Sequence, residues 1–398
     1  MANTILTPSM ITREALRILH QKLNFIGNIN RQYDDSFANS GAKIGDTLNV
    51  RLPNQYTVRT GKTLSAQDTT ENKVPLTVGT QKGVDVNFSS AELTLSLDDF
   101  SSRILEPAMA VLAANLEADA FSIALDVYNS VNNIGSAITF KNVMTGRKLL
   151  NDNLAPLDNN RTCILNTTDQ VDLIDALKGL FQDSSAIQKQ YKEGQMGRTG
   201  GFDFYENTLV PTQTTGTAAA ATTYTVNGAV TTNGSTVVVV ATGATTFKKG
   251  DIVTFSGCNR VHPETKTDTG ALQQFVVTAD YAGGAGNLNI SPAVYTSTGQ
   301  QNVLATGIPN GATVAKVGGA SAVYKPSLVF HKDAFAFATA DLIMPKGVDF
   351  SAREVYDGIS MRIVRAYDIS NDNLPCRIDV LYGFKTLRAQ LAARILSN

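Results

Sequence analysis

The amino-acid sequence predicts a mixed α+β protein carrying a β-rich insertion, and three observations support that class. Apolar residues recur with the 3.6-residue period of a helix through residues 101–131. Leu48, Val50 and Leu52, and again Val74, Leu76 and Val78, alternate with polar residues as strands do. From Asn207 to Phe247 there is no Asp, Glu, Lys or Arg, and Thr, Ala, Gly and Val dominate. That shift marks a boundary near residues 215–223. Residues 223–322 then read as a small β-barrel or sandwich set into a larger domain.

The elements follow in order. Ala15, Ile18, Leu19, Leu23 and Ile26 give residues 12–26 one apolar helical face. The two alternating segments form a long strand pair whose tip, residues 59–73, is almost wholly polar. A hairpin alone is marginal in water, so this one should lie on its own domain or on another subunit. Ile104, Leu105, Ala108, Val111, Leu112, Leu116, Ala120, Ile123, Ala124, Val127 and Tyr128 define the 101–131 helix. It would be roughly 45 Å long at 1.5 Å per residue. Asp98, Asp99 and Ser101 offer capping oxygens ahead of it. Two shorter helices, 140–151 and 169–182, flank a strand at 162–165, with Thr168 as the cap of the second.

In the insertion, Asn227-Gly228, Asn233-Gly234 and Asn310-Gly311 suit type I′ turns, which need positive φ at both central residues. Residues 237–240, 251–255 and 274–278 read as strands. After Ala322 the sequence predicts a strand at 327–331, a helix at 332–340, and strands within 355–367 and 376–382. Lys385, Arg388 and Arg394 lie among Leu387, Leu391, Ile395 and Leu396, as in a short amphipathic helix or a packed tail.

Composition narrows the function. The 398 residues carry 34 Lys+Arg against 35 Asp+Glu, a net charge of -1. A protein that grips nucleic acid would tilt that balance towards the basic side. Cys163, Cys258 and Cys376 are too few and too scattered for a disulfide framework or a clustered zinc site, which suits a reducing compartment. The first ten residues lack the basic and apolar regions of a secretory signal. The longest apolar runs, 107–114 and 237–241, fall short of a bilayer span, so no membrane partner is expected.

No constellation of catalytic, cofactor-binding or metal-binding residues emerges. Gly61-Lys62-Thr63 resembles the end of a P-loop, but Tyr56 stands where the first glycine belongs and no helix follows. Cys258, His262 and Glu264 have no second ligand pair for zinc. Cys163 and His331 fall in or beside apolar strands, where packing is the default. Gly283-Gly284-Ala285-Gly286 lacks the helix of a dinucleotide site and reads as a turn. Aromatics make up 7% with no Trp, too few for a platform that stacks single-stranded bases.

Three stretches carry a resemblance. Residues 84–100, from Val84-Asp85-Val86-Asn87-Phe88 to Leu97-Asp98-Asp99-Phe100, run into the long helix; Gly200-Gly201-Phe202-Asp203 leads to Val210-Pro211; and Lys248-Lys249-Gly250-Asp251 opens Ile252-Val253-Thr254-Phe255-Ser256-Gly257. Together, and in this order, they resemble the coat proteins of short-tailed, Salmonella-type phages. The resemblance implies the tailed-phage capsid fold, shared with herpesvirus shells. It implies an N-terminal arm at 1–39 and an extended loop at 40–83. A peripheral domain with its spine helix would span 84–133, and an axial domain 134–222. The inserted β-domain would span 223–322, with the returning axial and peripheral chain at 323–398.

The implied function is a major capsid protein that self-assembles, as hexamers and pentamers, into an icosahedral head around double-stranded DNA. Scaffolding protein would guide procapsid assembly in the host cytoplasm, a portal would occupy one vertex, and maturation would proceed by rigid-body subunit rotation. No cofactor is implied. The resemblance implies an interface at the extended-loop tip (Arg59, Lys62, Asp68, Glu71, Lys73), and the charged insertion-domain loop 259–269 (Arg260, Glu264, Lys266, Asp268) is expected to make intersubunit contacts in place of the family's own charged loop. Gly41, Gly45, Gly79 and Gly83 bracket the extended loop as hinges. The family's charged protruding loop corresponds here to residues 229–236, which carry no charge. Alternatives are an accessory virion module, such as a decoration or tail protein, and an encapsulin-type compartment shell.

Overall fold

The computed structural model describes residues 8–33, 47–59, 61–64, 66–67, 71–88, 105–177, 197–348, 350–356, 358–368 and 374–397. The chain divides into two compact units. The first takes Met1–Arg51, Lys73–Phe121 and Phe335–Leu387, and the second Leu52–Asn72, Ser122–Ala334 and Arg388–Asn398.

In the first unit, helix α1 (Pro8–Lys22) buries Ile11, Ala15, Leu16, Ile18 and Leu19 at helical spacing. It packs on helix α2 (Glu106–Phe121), whose Met109, Leu112, Ala113, Leu116 and Ala120 are buried in turn. A 3-10 turn at Ile26–Asn28 leads to strand Asn30–Tyr33, which pairs in parallel with Phe335–Ala340. Strand Leu374–Thr386 is the hub of the sheet and pairs with Phe335–Ala340, Ile359–Arg365 and Thr80–Phe88. Phe350–Tyr356 forms the far edge. The Phe25 ring seals the core, 4.6 Å from Phe121 and 5.5 Å from Phe335 between centroids. Thr47–Arg51 pairs with Lys73–Thr77 in the register of the predicted alternation, Leu48 opposite Leu76 and Val50 opposite Val74.

In the second unit, a six-stranded sheet runs in the order Ser130–Asn132, Ala392–Leu396, Ser327–His331, Arg161–Leu165, Phe202–Glu206, Arg198–Thr199. Helix α3 (Phe140–Asp152) packs on it through Val143, Gly146 and Leu150. Helix α4 (Thr167–Leu177) follows the strand Arg161–Leu165. A two-stranded neck, Gln213–Thr214 with Val323–Tyr324, opens into a closed barrel. Around it the strands run Ala221–Val226, Ser235–Ala241, Gly286–Val294, Asp268–Val277, Ile252–Val261 and Thr313–Lys316. Tyr224, Phe247, Phe255, Phe275, Leu288 and Ile290 fill it. The α+β class and the β-rich insertion expected from the sequence are therefore present.

Several local expectations are corrected. Within the described residues the long helix is α2 followed by one 3-10 stretch, Ser122–Asp126, and residues 130–132 turn to strand. Pairing of Ser130 with Arg394 overrides the helical period there. The expected caps Asp98, Asp99 and Ser101 lie outside the described residues. By length and composition Glu106–Asp126 suffices to cross a bilayer, and half of its apolar window is buried inside the protein. Residues 332–340 are a 3-10 turn and a strand, Phe335–Ala340, buried at all six positions. A strand covered on both faces has no polar alternation and so imitates a buried helix.

The C-terminal segment is the strand Ala392–Leu396, inside the sheet. Helix α4 is capped by Asn166, whose Oδ1 accepts the Asp169 N–H at 2.8 Å, and not by Thr168. In the three Asn-Gly pairs only the glycine has positive φ, so the turns are not type I′. The first two pairs share one loop, longer than a two-residue hairpin, between Ala221–Val226 and Ser235–Ala241.

Candidate assembly surfaces

The loop at residues 52–72 is tied at its base by Leu52 N–H donating to Asn72 O at 2.8 Å. Higher up, Gln67 clasps Thr57: its Oε1 accepts the Thr57 N–H at 2.9 Å, and its Nε2 donates to Thr57 O at 2.6 Å. Arg59 is spent on the tip itself, donating to the carbonyls of Gly61 and Thr63. Lys62, Glu71 and Lys73 are exposed, while Asp68 lies outside the described residues. Val58 and Leu64 stand 94% and 82% exposed, and Tyr56 55%. The loop lies against the barrel's 295–300 loop, so close at Gly299 that a Cβ there would collide with Gln55 O. Between them is a cleft lined by Asn54, Tyr56, Asn233, Tyr295 and Gln300.

The insertion-domain loop is used internally more than its charge suggests. Arg260 is the penultimate residue of the strand Ile252–Val261, and its Nη2 donates to Asp152 Oδ2 on α3 at 2.6 Å. Burial works to raise the Asp152 carboxyl, but Lys148 and Arg260 together hold it below its ordinary value. The Lys266 ammonium donates to three carbonyls, of Pro263, Gly299 and Gln301, at 2.6, 2.7 and 3.2 Å. Asp268 is exposed and accepts the Gly270 N–H at 2.8 Å and Asn259 Nδ2 at 3.1 Å, contacts that lower its pKa. Glu264 projects into solvent. Of the four, Arg260 and Lys266 brace their own subunit.

The hinge glycines divide similarly. Gly41 and Gly45 lie outside the described residues, and Gly79 is exposed between Lys73–Thr77 and Thr80–Phe88. Gly83 is not at an element boundary. It sits inside Thr80–Phe88, opposite Asp379, and a Cβ would collide with Ile378 O and Asp379 Oδ1. Its lack of a side chain serves close strand packing around a buried carboxylate that two arginines also grip. Arg362 Nη2 reaches Asp379 Oδ2 at 2.7 Å, and Arg377 Nε reaches Oδ1 at 2.8 Å.

Sequence reasoning missed the attachment of the barrel to the sheet. Asp251, fully buried, accepts the backbone N–H groups of Gly216 at 2.9 Å and Lys248 at 3.0 Å. Lys316 Nζ donates to Gly216 O and Gly319 O at 2.9 and 2.8 Å. From the sheet, Arg394 Nη2 donates to Gly250 O at 3.0 Å. Gln274 exchanges two hydrogen bonds with the Ser130 backbone, at 2.7 and 3.2 Å. Ile252, Tyr324 and Leu396 pack together beside these contacts. One signal was available: Lys248, Lys249 and Asp251 are the first charges after the long uncharged run.

The residues weighed for chemistry serve packing. Cys258 lies in the barrel core and burial pushes its thiol up to about 12, whereas His262 Nδ1 accepts backbone N–H groups of its own loop. Burial likewise raises Cys163, and Cys376 to about 12. His331 Nε2 is 3.1 Å from Asp158 Oδ1. Among the described residues no three His, Cys, Asp or Glu converge as metal ligands.

A chain with an outlying loop, exposed apolar side chains at its tip and a barrel braced on an α/β sheet has the parts of a shell-building coat protein. Residues 26–394 match the family described as P22 coat protein, gene protein 5. The chain belongs to the P22 coat protein family. It is a major capsid protein that forms the phage head, in many copies, and it is part of the virion. No curated protein matches it.

Among solved structures it is similar to one from Mycobacterium phage Che8, at 12% identity, with 94% of this chain and 90% of that chain covered and a TM-score of 0.45. It is also similar to the capsid of the cyanophage P-SCSP1u, at 10% identity, 93% and 86% coverage and a TM-score of 0.43. The mature capsid of bacteriophage PhiM1 gives 12% identity, 94% and 87% coverage and a TM-score of 0.43.

Proposed function

We propose that this coat protein closes, as hexamers and pentamers, into an icosahedral shell around double-stranded DNA and performs no chemistry of its own. Scaffolding protein guides the procapsid in the host cytoplasm, and a portal takes one vertex. Residues 1–39 act as an arm, anchored through 8–33. Residues 40–83 are the extended loop, 84–133 the peripheral domain, and 134–222 with 323–398 the axial domain and the returning chain. Residues 223–322 are the insertion. Maturation rotates subunits as rigid bodies, with Gly79 among the pivots. The near-zero net charge suits a container that must release DNA, because many phosphate contacts would hold it.

The observation that carries the reading is the loop tip. Val58 and Leu64 are left almost wholly in water on a tip that Arg59 and Gln67 hold in shape. Apolar side chains so presented are covered when a neighbouring subunit docks. Lys62 at the tip forms the rim of that contact, as do Glu264 and Asp268 at the insertion loop; Glu71 and Lys73, expected at the tip, lie instead at the loop's base, where Lys73 pairs with Arg51.

The test is co-expression with a scaffolding protein, followed by electron microscopy and sedimentation velocity. Shells of uniform diameter are expected. With Val58→Asp and Leu64→Asp together, shells should be lost while the subunit unfolds at the unchanged temperature. A chain that stays a small oligomer despite scaffolding protein would overturn the proposal.

A further inference from the structure

The cleft between the 52–72 loop and the barrel's 295–300 loop has an unusual lining. Of its eleven residues none is charged and none is aliphatic: six are Asn or Gln, two are Tyr, two are Thr and one is Gly. Its volume is about 530 Å³, inside the range of ligand clefts. Both walls belong to the same compact unit.

The walls are built before any ligand arrives. On the loop side Gln67 clasps the Thr57 backbone. On the barrel side Asn233 Oδ1 accepts the Thr296 N–H at 2.8 Å, and its Nδ2 donates to Ser297 Oγ at 2.8 Å. Asn302 Oδ1 holds the Tyr295 N–H at 2.9 Å. The Lys266 ammonium ties down the carbonyls of Gly299 and Gln301 at 2.7 and 3.2 Å, and it is not among the lining groups. Walls already ordered lower the entropy that binding must spend.

The lining discriminates between classes of ligand. A nucleotide or an acidic sugar would lose water and meet no cation. An apolar ligand would miss the aliphatic side chains that line most ligand pockets. Every amide offers both donors and an acceptor, which matches a ligand whose hydroxyls do both. The Tyr56 ring, 55% exposed, and the half-buried Tyr295 ring add flat apolar faces with a polar tip, suited to the C–H face of a pyranose. Asn54, on the same wall, has a buried Oδ1 with no hydrogen-bond partner. Such an acceptor costs free energy until a donor reaches it.

We propose that this cleft binds a neutral oligosaccharide, its sugar rings against Tyr56 and Tyr295 and its hydroxyls on the Asn54 and Gln300 amides. The site goes beyond the coat reading and does not depend on it.

The test uses the unassembled full chain and saturation-transfer NMR. The neutral probes are maltohexaose, cellohexaose, mannohexaose and chitohexaose, and the acidic control is an oligogalacturonate of the same length. Transfer is expected to at least one neutral probe and not to the acidic one. Titration calorimetry with the probe that binds should give the same affinity from about 50 to about 500 mM salt, because no charge is paired. Tyr56→Ala with Gln300→Ala, both on loops, should weaken that affinity at least about tenfold without moving the subunit's unfolding temperature. Transfer to none of the four neutral probes, equal binding of the oligogalacturonate, or full affinity in the folded double variant would overturn the proposal. Shell formation is read separately by microscopy, so the coat reading and the sugar site can each fail alone.

Discussion

Glu117 shows how much one side chain can settle. It is buried on α2, and its carboxylate accepts the backbone N–H groups of Asn24 at 3.0 Å, of Phe25, and of Ile26 at 3.2 Å. These donors open the 3-10 turn Ile26–Asn28, where N–H groups lack a partner within the turn and a negative charge suits them. In the sequence Glu117 is one of three acids in an apolar helix, and nothing marks its partners 91 to 93 residues away. Glu117→Ala should strand three donors and destabilise the subunit by about 3 kcal/mol, while Glu117→Gln, keeping one oxygen, should cost about half of that. Urea unfolding of the unassembled chain measures both.

At the scale of elements, two glycines make opposite demands. Gly83→Ala drives a methyl group into the Asp379 carboxylate inside the sheet, so the whole subunit should lose about 1–3 kcal/mol. Gly299→Ala meets the Gln55 carbonyl instead, where the 52–72 loop touches the barrel. That loop should come away and be cut faster by protease, while the barrel's melting stays as it was. Equal proteolysis of the unaltered chain and Gly299→Ala would show that the loop is held elsewhere. The strands Thr47–Arg51 and Lys73–Thr77 were legible because one face is buried and the other wet. Phe335–Ala340 was misread because both of its faces are buried, and the period that separates helix from strand vanishes.

Across the molecule, the contacts that join barrel and sheet couple distant stretches of the chain. Arg260 and Asp152 are 108 residues apart and Arg394 and Gly250 are 144 apart. The folded Asp152 carboxyl lies below its ordinary value, so its contribution is present above about pH 3.9 and is lost as pH falls through the folded value. Arg260→Ala should remove that part of the acid sensitivity. It should also speed amide hydrogen exchange in Ile252–Val261 at neutral pH, where the unaltered chain is slow. Unchanged exchange would mean that the Gln274–Ser130 and Arg394–Gly250 contacts hold the barrel alone.

The sequence by itself determined the class. Helical and strand periods fixed α1, α3 and the 47–77 strand pair, the loss of charge outlined the barrel, and short resemblances spread along the chain pointed to a coat protein. These are local or compositional properties, readable without knowing what touches what. Only the tertiary structure decided that Arg260 and Lys266 brace their own subunit, that Gly83 makes room for a carboxylate, and that the 52–72 and 295–300 loops wall one uncharged cleft. Each of these depends on a partner far off in the chain, and residue type and spacing carry no record of a contact made only when the chain closes on itself.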